Sequence, residues 1–304
     1  MEASAYQDGQ VPAVAVVPDL EETIKIDIKK NKLLGKGKYG SVFECTFKGT
    51  TVAVKRLQLL DCDDAARTER MREGNAMTKL IQPNVLRLIA EQEDDNFKYL
   101  ILELCVATVD DYIRGDYSGQ MPPEVDGLFQ MTSGLAYIHS KRFVHRDIKP
   151  ANVLISPRFV LKISDFGFCK TVTNSGSFST SSGLKGTPAY MAPEYLEMKG
   201  KSEDEIKAIR ARLSLDIFSL GCVFFSYIKK DIRCHLFQNP KTKDFFSIIS
   251  NIVKGKKFLE GEISGDHYAY KLIDGMTHNN PEMRMGLNKV ISALQQLLPS
   301  QEQE

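Results

Sequence analysis

One eight-residue stretch, His145–Asn152, constrains this chain more than any other part of it. It reads His-Arg-Asp-Ile-Lys-Pro-Ala-Asn, so an acid, a cation and an amide follow one another at fixed spacing on what is predicted to be one short loop. A His-Arg-Asp tripeptide by itself is common and would often be a charged surface turn. Whether the stretch is a site or a turn therefore depends on its partners elsewhere in the chain.

Length, charge and cysteine use narrow the class of protein. The 304 residues are enough for one large domain or two small ones. The formal net charge of +1 argues against a general attraction to nucleic acid or to anionic membranes. The six cysteines include no Cys-x-x-Cys pair, so no cysteine metal site and no disulfide framework is predicted. A reducing, cytoplasmic setting is expected for such a chain.

Neither a membrane helix nor a secretory signal is predicted. The longest apolar candidate, Leu215–Ile228, is shorter than the roughly 18 residues that a span needs and contains Asp216, so it is interpreted as a buried core helix. Residues 1–22 carry acids and prolines where a signal would have a basic start and an apolar run. This composition predicts a disordered N-terminal tail.

Three glycines, Gly35, Gly37 and Gly40, follow an alternating segment and precede the β-rich residues 42–47. The pattern predicts strand, turn, strand, with a turn whose backbone can approach phosphate oxygens because no Cβ is in the way. The same spacing could begin a dinucleotide-binding helix. The β-rich continuation from Val42 argues against that alternative.

A short apolar strand, Thr51–Lys55, ends in a lysine. Alone it would be a core strand with a solvated end. The helix-like segment 65–80 that follows carries Glu73 and, one turn earlier, Glu69. Gly74 weakens this helix by about 1 kcal/mol relative to alanine.

Asp165-Phe-Gly167 comes eighteen residues after Asp147, behind the strand-like residues 161–164, and Ala192-Pro-Glu194 follows downstream. Each tripeptide is trivial alone, but their order together with the glycine turn and Lys55 is highly specific. From about Asn31 to Leu298 the chain resembles a eukaryotic protein kinase. The competing interpretation of His145–Asn152 as a surface turn is therefore set aside.

The resemblance implies an α+β, bilobal protein-kinase fold, with an antiparallel N-lobe sheet plus one helix and a mainly helical C-lobe. We expect the kinase domain at 23–298, with the N-lobe at about 23–104 and the C-lobe at about 107–298. Residues 299–304 are expected to form a polar tail. ATP and Mg²⁺ are expected to be clamped between the two lobes.

The resemblance also assigns roles to residues. Asp147 would be the catalytic base, Lys149 would neutralise charge on the γ-phosphate, and Lys55 would contact the α- and β-phosphates while Glu73, with Glu69 as the second choice, holds it. Asn152 and Asp165 would bind magnesium. The expected ATP-binding residues are Gly35, Gly37, Gly40, Val42, Ala53, Lys55, Glu103, Cys105 and Leu154.

Two features resemble serine/threonine kinases and depart from the tyrosine-kinase pattern: Lys149 two residues after Asp147, and the sequence Gly186–Glu194. Within that group the chain resembles the kinase half of the kinase/endoribonucleases of the unfolded protein response. The stretches that carry this resemblance are Glu103–Thr108, Thr132–Ala136, Asp165–Lys170, Ser177–Ser179 and Asp216–Phe224. The printed sequence ends at Glu304, where the ribonuclease domain of that family would be expected to follow.

The C-terminal half departs from the kinase pattern at His235-Leu-Phe237 and at 280–285, although Arg284 stands where it could pair with Glu194. The linker between Glu194 and Asp216 is longer than in the resembling family. In it, Ser202–Glu205 is predicted to be a capping box for a short helix that carries Ile206, Ile209 and Leu213. Packing into the core is favoured over docking for that amphipathic face.

The segment Thr171–Gly183 is dense in hydroxyls and small residues, a composition that is expected to stay mobile when unmodified. Order–disorder of this loop is a recurrent control in the kinases that the chain resembles. Arg146, next to Asp147, is expected to pair with an anionic group such as a phosphate. By the resemblance, Ser177, Ser179 and Ser182 are the expected acceptors, modified in trans within a transient homodimer. The function expected is ATP-dependent phosphorylation of protein serine or threonine. A nucleotide-binding pseudokinase or dimerisation module is the alternative, and no nucleic-acid or membrane partner is indicated.

Overall fold

The computed structural model describes residues 32–37, 40–59, 71, 73–173, 177–179, 184–198, 201–202, 205, 210–231 and 234–299. The tail predicted at 1–22 and residues 300–304 of the polar tail lie outside them. The chain forms two compact units. One consists of the described residues of Met1–Asp61 and Leu88–Glu103, and the other of those of Cys62–Arg87 and Leu104–Glu304.

The first unit is a five-stranded antiparallel sheet with the order β1-β2-β3-β5-β4. Its β2–β3 hairpin closes at Lys48 and Gly49, which both have positive φ, the geometry favoured in tight two-residue hairpins. Alternate residues of the central strands bury one face of the sheet, as period-2 patterning requires. The strands are Lys32–Lys36, Gly40–Phe47, Thr50–Gln58, Leu88–Glu93 and Phe97–Glu103.

The second unit is mainly helical, which confirms the expected α+β class. Its longest helices are α2, which carries one buried face, and α4, which is buried all round from Leu215 to Tyr227. An all-round apolar helix belongs in a core, so the prediction of a buried core helix at 215–228 is confirmed. Described residues 73–77 are helical. The helices whose bounds the structure describes are α1 Val109–Arg114, α2 Glu124–Ser140, α3 Pro193–Leu196, α4 Ser214–Lys229, α5 Ser247–Val253, α6 Tyr268–Met276 and α7 Leu287–Gln295.

Short strands in this unit hold the loops that surround the candidate site. Strands β6, β8 and β9 form a three-stranded antiparallel sheet, β7 pairs with β10, and β11 pairs with β12. Their residues are Ala107–Thr108 (β6), Phe143–Val144 (β7), Val153–Ile155 (β8), Leu161–Ile163 (β9), Lys170–Thr171 (β10), Ser177–Ser179 (β11) and Arg210–Arg212 (β12).

The described residues of 62–87, a segment assigned to the N-lobe in the sequence analysis, group with the second unit. Its end is hydrogen-bonded along β9: the Leu86 amide donates to the Ile163 carbonyl at 2.9 Å, and the Ile163 amide donates to the Asn84 carbonyl at 2.9 Å. On α2, a Cβ at Gly134 would lie 2.5 Å from that Asn84 carbonyl, so a side chain there would push the segment away. These contacts with β9 and α2 explain why the described residues of this segment group with the second unit.

The linker after Glu194 differs from the prediction. The capping box is present, since the Ser202 hydroxyl and amide both donate to the Glu205 carboxylate at 2.8 Å. The prediction that its helix reaches Leu213 is wrong: residues 210–212 form β12, and Leu213 directly precedes α4. Strand pairing with β11 supplies their backbone hydrogen bonds. Ile206 and Ile209 lie outside the described residues.

Within the described part of the chain, no helix is long and apolar enough to cross a membrane.

Candidate active site

A buried carboxylate on α4 fixes the backbone of the loop that carries Asp147. Asp216 is fully buried and accepts hydrogen bonds from the His145 amide at 2.8 Å, the Arg146 amide at 2.8 Å and His139 Nε2 at 2.9 Å. Burial opposes ionisation, but the hydrogen bond and charge of His139, with the contribution of His145, hold the pKa of this carboxyl below its usual value. Asp216 therefore remains an anion that organises the loop.

The loop needs this anchor because its backbone is strained. Arg146 has a φ of 71°, a left-handed conformation that is uncommon for residues other than glycine. The two amide hydrogen bonds to Asp216 hold the peptide units on either side of this turn. The sequence analysis treated Asp216 only as a polar interruption. The signal in the sequence was that Asp216 is a single acid on an otherwise apolar helix. Burying an acid costs free energy unless the acid is paired.

Three of the predicted site residues converge on one carboxylate. Asp147 is 5% exposed, and its Oδ2 accepts a hydrogen bond from Asn152 Nδ2 at 2.9 Å and pairs with Lys149 Nζ at 2.8 Å. Asn152 also donates to the Asp147 carbonyl at 2.8 Å, which closes the loop on itself. The acid, the cation and the amide of this loop therefore act as one cluster.

The fourth member of the cluster, Thr187, was missed by the sequence analysis, which quoted its motif but gave it no role. Its hydroxyl donates to Asp147 Oδ1 at 2.7 Å and accepts a hydrogen bond from Lys149 Nζ at 2.8 Å. Asp147 Oδ1 is thus placed to accept a hydrogen bond from an alcohol. The signal available in the sequence was a hydroxyl residue directly after Gly186 in the segment leading to Glu194.

The loop with Asp165 is tied to the same cluster through its neighbours. The Ser164 amide donates to the Asn152 carbonyl at 2.9 Å, and His145 Nε2 lies 2.8 Å from the Ser164 carbonyl. Phe166 is fully buried with its ring edge-on to His145, at 5.2 Å between centroids. Asp165 itself has a φ of 64°, in the left-handed region. In the other loop the left-handed residue is Arg146, which directly precedes Asp147.

Glu73 is brought to this region of the second unit. It is 4% exposed, and its Oε2 lies 3.7 Å from the point where a Cβ at Gly167 would stand, while Asp165 Oδ1 lies 3.6 Å from that point. Any residue larger than glycine at 167 would therefore contact both carboxylates. Glu69 lies outside the described residues, so the preference for Glu73 stays a prediction.

The expected phosphate-binding residues of the first unit lie on its strands β1, β2 and β3, except Gly37, which lies between β1 and β2. Gly35 follows an irregularity in the pairing of β1, and the Gly37 amide donates to the Gly40 carbonyl at 2.8 Å. A Cβ at Gly40 would lie 2.0 Å from the Arg56 carbonyl, so only glycine fits there. Val42 stands opposite Lys55 in the register of β2 and β3.

The remaining expected ATP-binding residues are divided between the two units. Ala53 is buried on β3 opposite Leu102, and Glu103 ends β5 in the first unit. Cys105 and Leu154 belong to the second unit, where both are half-buried and Leu154 pairs with Thr108 across β8 and β6. The role of these residues in binding ATP stays a prediction.

A buried ion pair braces the segment that ends in Glu194. Arg284 donates from Nη1 and Nη2 to the two carboxylate oxygens of Glu194 at 2.7 and 2.6 Å. Its side chain is fully buried. A bidentate guanidinium–carboxylate pair is both strong and directional. The predicted pairing of Arg284 with Glu194 is confirmed.

Arg146 faces the segment predicted to be phosphorylated. Its Nε donates to the Phe168 carbonyl at 2.5 Å, and its guanidinium carbon lies 5.6 Å from the ring centroid of the buried Phe178. Within the described part of the chain, its Nη1 is a buried donor without a hydrogen-bond partner. Ser177 and Ser179 lie on β11, on either side of Phe178, and Ser182 lies outside the described residues.

The residues present fit a magnesium ion bound together with a nucleotide. Magnesium takes one or two protein oxygen ligands and completes its shell with phosphate oxygens and water. Asp165 and Asn152 supply one carboxylate and one amide oxygen, and backbone hydrogen bonds connect their loops. The described residues contain no group of three or more His, Cys, Asp and Glu side chains that could hold a metal by themselves.

Cysteine chemistry does not compete with this interpretation. Burial raises the pKa of the Cys169 thiol and of the Cys222 thiol well above the usual value. Neither thiol is therefore an activated nucleophile, because the thiolate is the reactive form. Cys45, Cys105, Cys169, Cys222 and Cys234 are free thiols.

Comparisons with known proteins agree with this geometry. A family model described as the protein kinase domain matches residues 28–295. The chain is 34% identical over 287 residues to the human "Serine/threonine-protein kinase/endoribonuclease IRE2", which covers 88% of this chain and 28% of the relative. It is 34% identical over 282 residues to the Caenorhabditis elegans "Serine/threonine-protein kinase/endoribonuclease ire-1", covering 88% of this chain and 27% of the relative.

The similarity extends to other kinases. The Arabidopsis thaliana "Mitogen-activated protein kinase kinase kinase 5" is 33% identical over 228 residues, which cover 69% of this chain and 30% of the relative. This chain spans about a quarter of the length of the kinase/endoribonucleases that it matches.

Proposed function

Because the chain belongs to the protein kinase family, we propose that it transfers the γ-phosphoryl group of ATP to serine or threonine hydroxyls of protein substrates. The observation that carries this proposal is the cluster around Asp147. A nearly buried carboxylate is held by Asn152 and Lys149 and already accepts a hydrogen bond from an alcohol, the Thr187 hydroxyl.

In the proposed reaction, the substrate hydroxyl donates a hydrogen bond to the Asp147 carboxylate, as the Thr187 hydroxyl does at Oδ1, and passes its proton to that carboxylate. Lys149 lies 2.8 Å from Asp147 Oδ2, so its ammonium is placed to offset negative charge that gathers on the transferred group. Positioning and charge neutralisation supply most of the catalysis in phosphoryl transfer. This cluster provides both.

Protein kinase domains in general use ATP and Mg²⁺, and we assign Asp165 and Asn152 as the metal ligands of this chain. The ion neutralises charge on the phosphate oxygens when it is bound. Gly35, Gly37, Gly40 and Lys55 are the proposed phosphate contacts of the first unit. The pairing of Lys55 with Glu73 remains part of this proposal.

The proposal also covers how the chain is regulated and in which compartment it acts. Relatives such as the human and Caenorhabditis elegans proteins are kinase/endoribonucleases by name, and we propose that this chain is regulated by autophosphorylation of the segment that contains Ser177, Ser179 and Ser182. Modification in trans within a transient homodimer is the expected route. The free thiols of the described residues suit a reducing cytoplasmic compartment.

The direct test is transfer of labelled γ-phosphate by the purified chain, with Mg²⁺ and a serine-containing protein substrate. We expect Asp147→Ala to abolish incorporation. Asp266→Ala changes an exposed acid outside the cluster and is the matched control that should keep the parent's rate.

Equal incorporation by the parent and by Asp147→Ala would contradict the proposal. Nucleotide-dependent association without transfer would favour the alternative, a nucleotide-binding module whose conformation is its output.

A further inference from the structure

Four exposed apolar side chains lie on α5 and directly before it. Phe246 is 92% exposed and Phe245 is 64% exposed, and Ile249 and Val253 on the helix are also exposed. We call these four residues the α5 patch. The other large apolar side chains that are exposed in the described residues lie singly or, on β1, as one pair. Single exposed apolar residues are normal, whereas a larger apolar group on one surface marks a site of interaction.

The α5 patch forms a stripe that the fold itself does not use. Ile248 and Ile252, four residues apart, are buried, and α5 packs against α3 and against the turn Pro188–Tyr190. Phe246 directly precedes the helix with helical φ and ψ of −69° and −21°, so patch positions 246, 249 and 253 have the spacing of one helix face. One face of α5 therefore holds the helix in the second unit, and another presents apolar side chains to solvent.

Positive charge flanks the α5 patch at both ends of the helix. The exposed lysines are Lys241 and Lys243 before it, and Lys254 and Lys256 after it. The acid of the same stretch, Asp244, accepts a hydrogen bond from the Phe246 amide at 2.9 Å. Lys243 lines the same cavity as Asp231 and Glu262, so nearby acids offset its charge. The other three lysines leave a local positive charge that the formal net charge of +1 for the whole chain does not reveal.

We propose that the α5 patch binds the surface of an anionic lipid bilayer, with Phe245 and Phe246 inserted at the boundary between headgroups and acyl chains and the flanking lysines next to the lipid phosphates. An apolar stripe bordered by lysines is the pattern of helices that lie in a membrane interface. Anionic headgroups complement the lysines, and lipid can surround a projecting ring such as Phe246 without a pocket of matching shape.

This binding mode differs from what the net charge predicted, which was no general attraction to anionic membranes. It also places the candidate active site near the bilayer, because α5 packs against the turn that directly follows Thr187, and Thr187 is hydrogen-bonded to Asp147. Lipid binding of this kind does not depend on phosphoryl transfer, so it can be tested whether or not the chain is an active kinase.

The first test is co-sedimentation of the purified chain with vesicles of phosphatidylcholine alone or of equal parts of phosphatidylcholine and phosphatidylserine. We expect the parent to bind the anionic vesicles and to bind the neutral ones much less. The Phe245→Ser/Phe246→Ser double variant should lose roughly tenfold or more in partition coefficient, because two rings no longer enter the interface. The Lys241→Gln/Lys254→Gln double variant should lose roughly tenfold on anionic vesicles only.

Matched controls change the same residue types elsewhere on the surface. Met283→Ser removes another large exposed apolar side chain, and Lys271→Gln/Lys289→Gln removes two exposed lysines from α6 and α7. Both control variants should bind the anionic vesicles as the parent does. Urea denaturation should give the parent's unfolding curve for every variant, since all the replaced side chains are exposed.

A second measurement keeps the aromatic ring and reports insertion directly. The chain contains no tryptophan, so Phe246→Trp introduces a single fluorophore at the centre of the proposed contact. We expect its emission to shift to the blue on anionic vesicles and to be quenched by brominated acyl chains. Met283→Trp, the control, should show neither change.

Several results would overturn the proposal. Equal partition coefficients for the parent and the phenylalanine double variant would show that the α5 patch does not contact lipid, and so would an equal loss in Met283→Ser. Binding of the parent without quenching in Phe246→Trp would mean that the lysines adsorb to the surface with no insertion. If the parent ignores both kinds of vesicle but forms dimers that Phe245→Ser/Phe246→Ser abolishes in sedimentation velocity, the patch is an interface between copies of the chain.

Discussion

At the scale of single residues, the site depends on the small set of groups that contact the carboxylate of Asp147. Asp147 accepts hydrogen bonds from Asn152 and Thr187 and pairs with Lys149, all within 2.7–2.9 Å. Thr187 contacts both the acid and the cation, so it sets their relative position. A hydroxyl is needed there because it donates to Asp147 while it accepts from Lys149.

Replacing Thr187 by valine tests this. Valine keeps the shape but makes neither hydrogen bond, and hydrogen bonds to charged groups contribute about 1.5–3 kcal/mol. We expect kcat for peptide phosphorylation to fall roughly tenfold or more. Thr187→Ser keeps the hydroxyl and should retain most of the parent's kcat, so equal losses in the two variants would mean that the methyl group, not the hydroxyl, is what matters.

At the scale of elements, a single helix controls the loop that carries the site. Asp216 on the buried helix α4 holds the backbone on both sides of the left-handed Arg146, and it is itself bound by His139 from α2. Two helices and one loop are thus joined through one buried anion. A buried charge of this kind is stable only while all its partners remain.

Asp216→Asn is therefore expected to destabilise the fold. The variant loses the anion that three donors share and places an amide hydrogen against at least one of them. We expect the free energy of unfolding at pH 7 to drop by about 3–5 kcal/mol, as for other broken buried ion pairs. Urea denaturation measures this change, with Asp274→Asn on the exposed side of α6 as the control; a drop below about 1 kcal/mol, the range of exposed pairs, would contradict the account.

At the scale of the whole molecule, the motifs predicted the family and the convergence of Asp147, Lys149 and Asn152, because local spacing determines that loop. The sequence did not predict what depends on distant contacts. Asp216 acts across 71 residues on the His145 amide, and Thr187 reaches Asp147 across 40. The strand at 210–212 forms because β11 pairs with it, which overrides the helical pattern that the capping box begins.

A buried histidine gives the whole fold a predictable pH dependence. Burial lowers the pKa of His235 to about 4. In the unfolded chain this group binds a proton below about pH 6.5, whereas the folded state does not bind one until about pH 4, so folding loses stability as the pH falls through that window. The loss contributed by His235 is at most about 1.4 kcal/mol per pH unit.

Urea denaturation at pH 5 and pH 7.5 tests this contribution. His235→Gln should reduce the difference in unfolding free energy between the two pH values, whatever its effect on the stability itself. His278→Gln, at an exposed position, should keep the parent's difference. An unchanged pH dependence in His235→Gln would show that this histidine already titrates normally in the folded state.

The central claim is that Asp147 performs the chemistry and does not serve only to hold nucleotide. The measurement is the kcat of Asp147→Asn on a serine peptide, together with its equilibrium affinity for ATP and Mg²⁺. Asparagine keeps the size and the acceptor oxygen but cannot take the hydroxyl proton, and general-base catalysis contributes about 10²- to 10⁴-fold. We predict a fall in kcat of at least a hundredfold with ATP affinity within about threefold of the parent. A kcat close to the parent's, or a loss explained entirely by weaker ATP binding, would contradict the account.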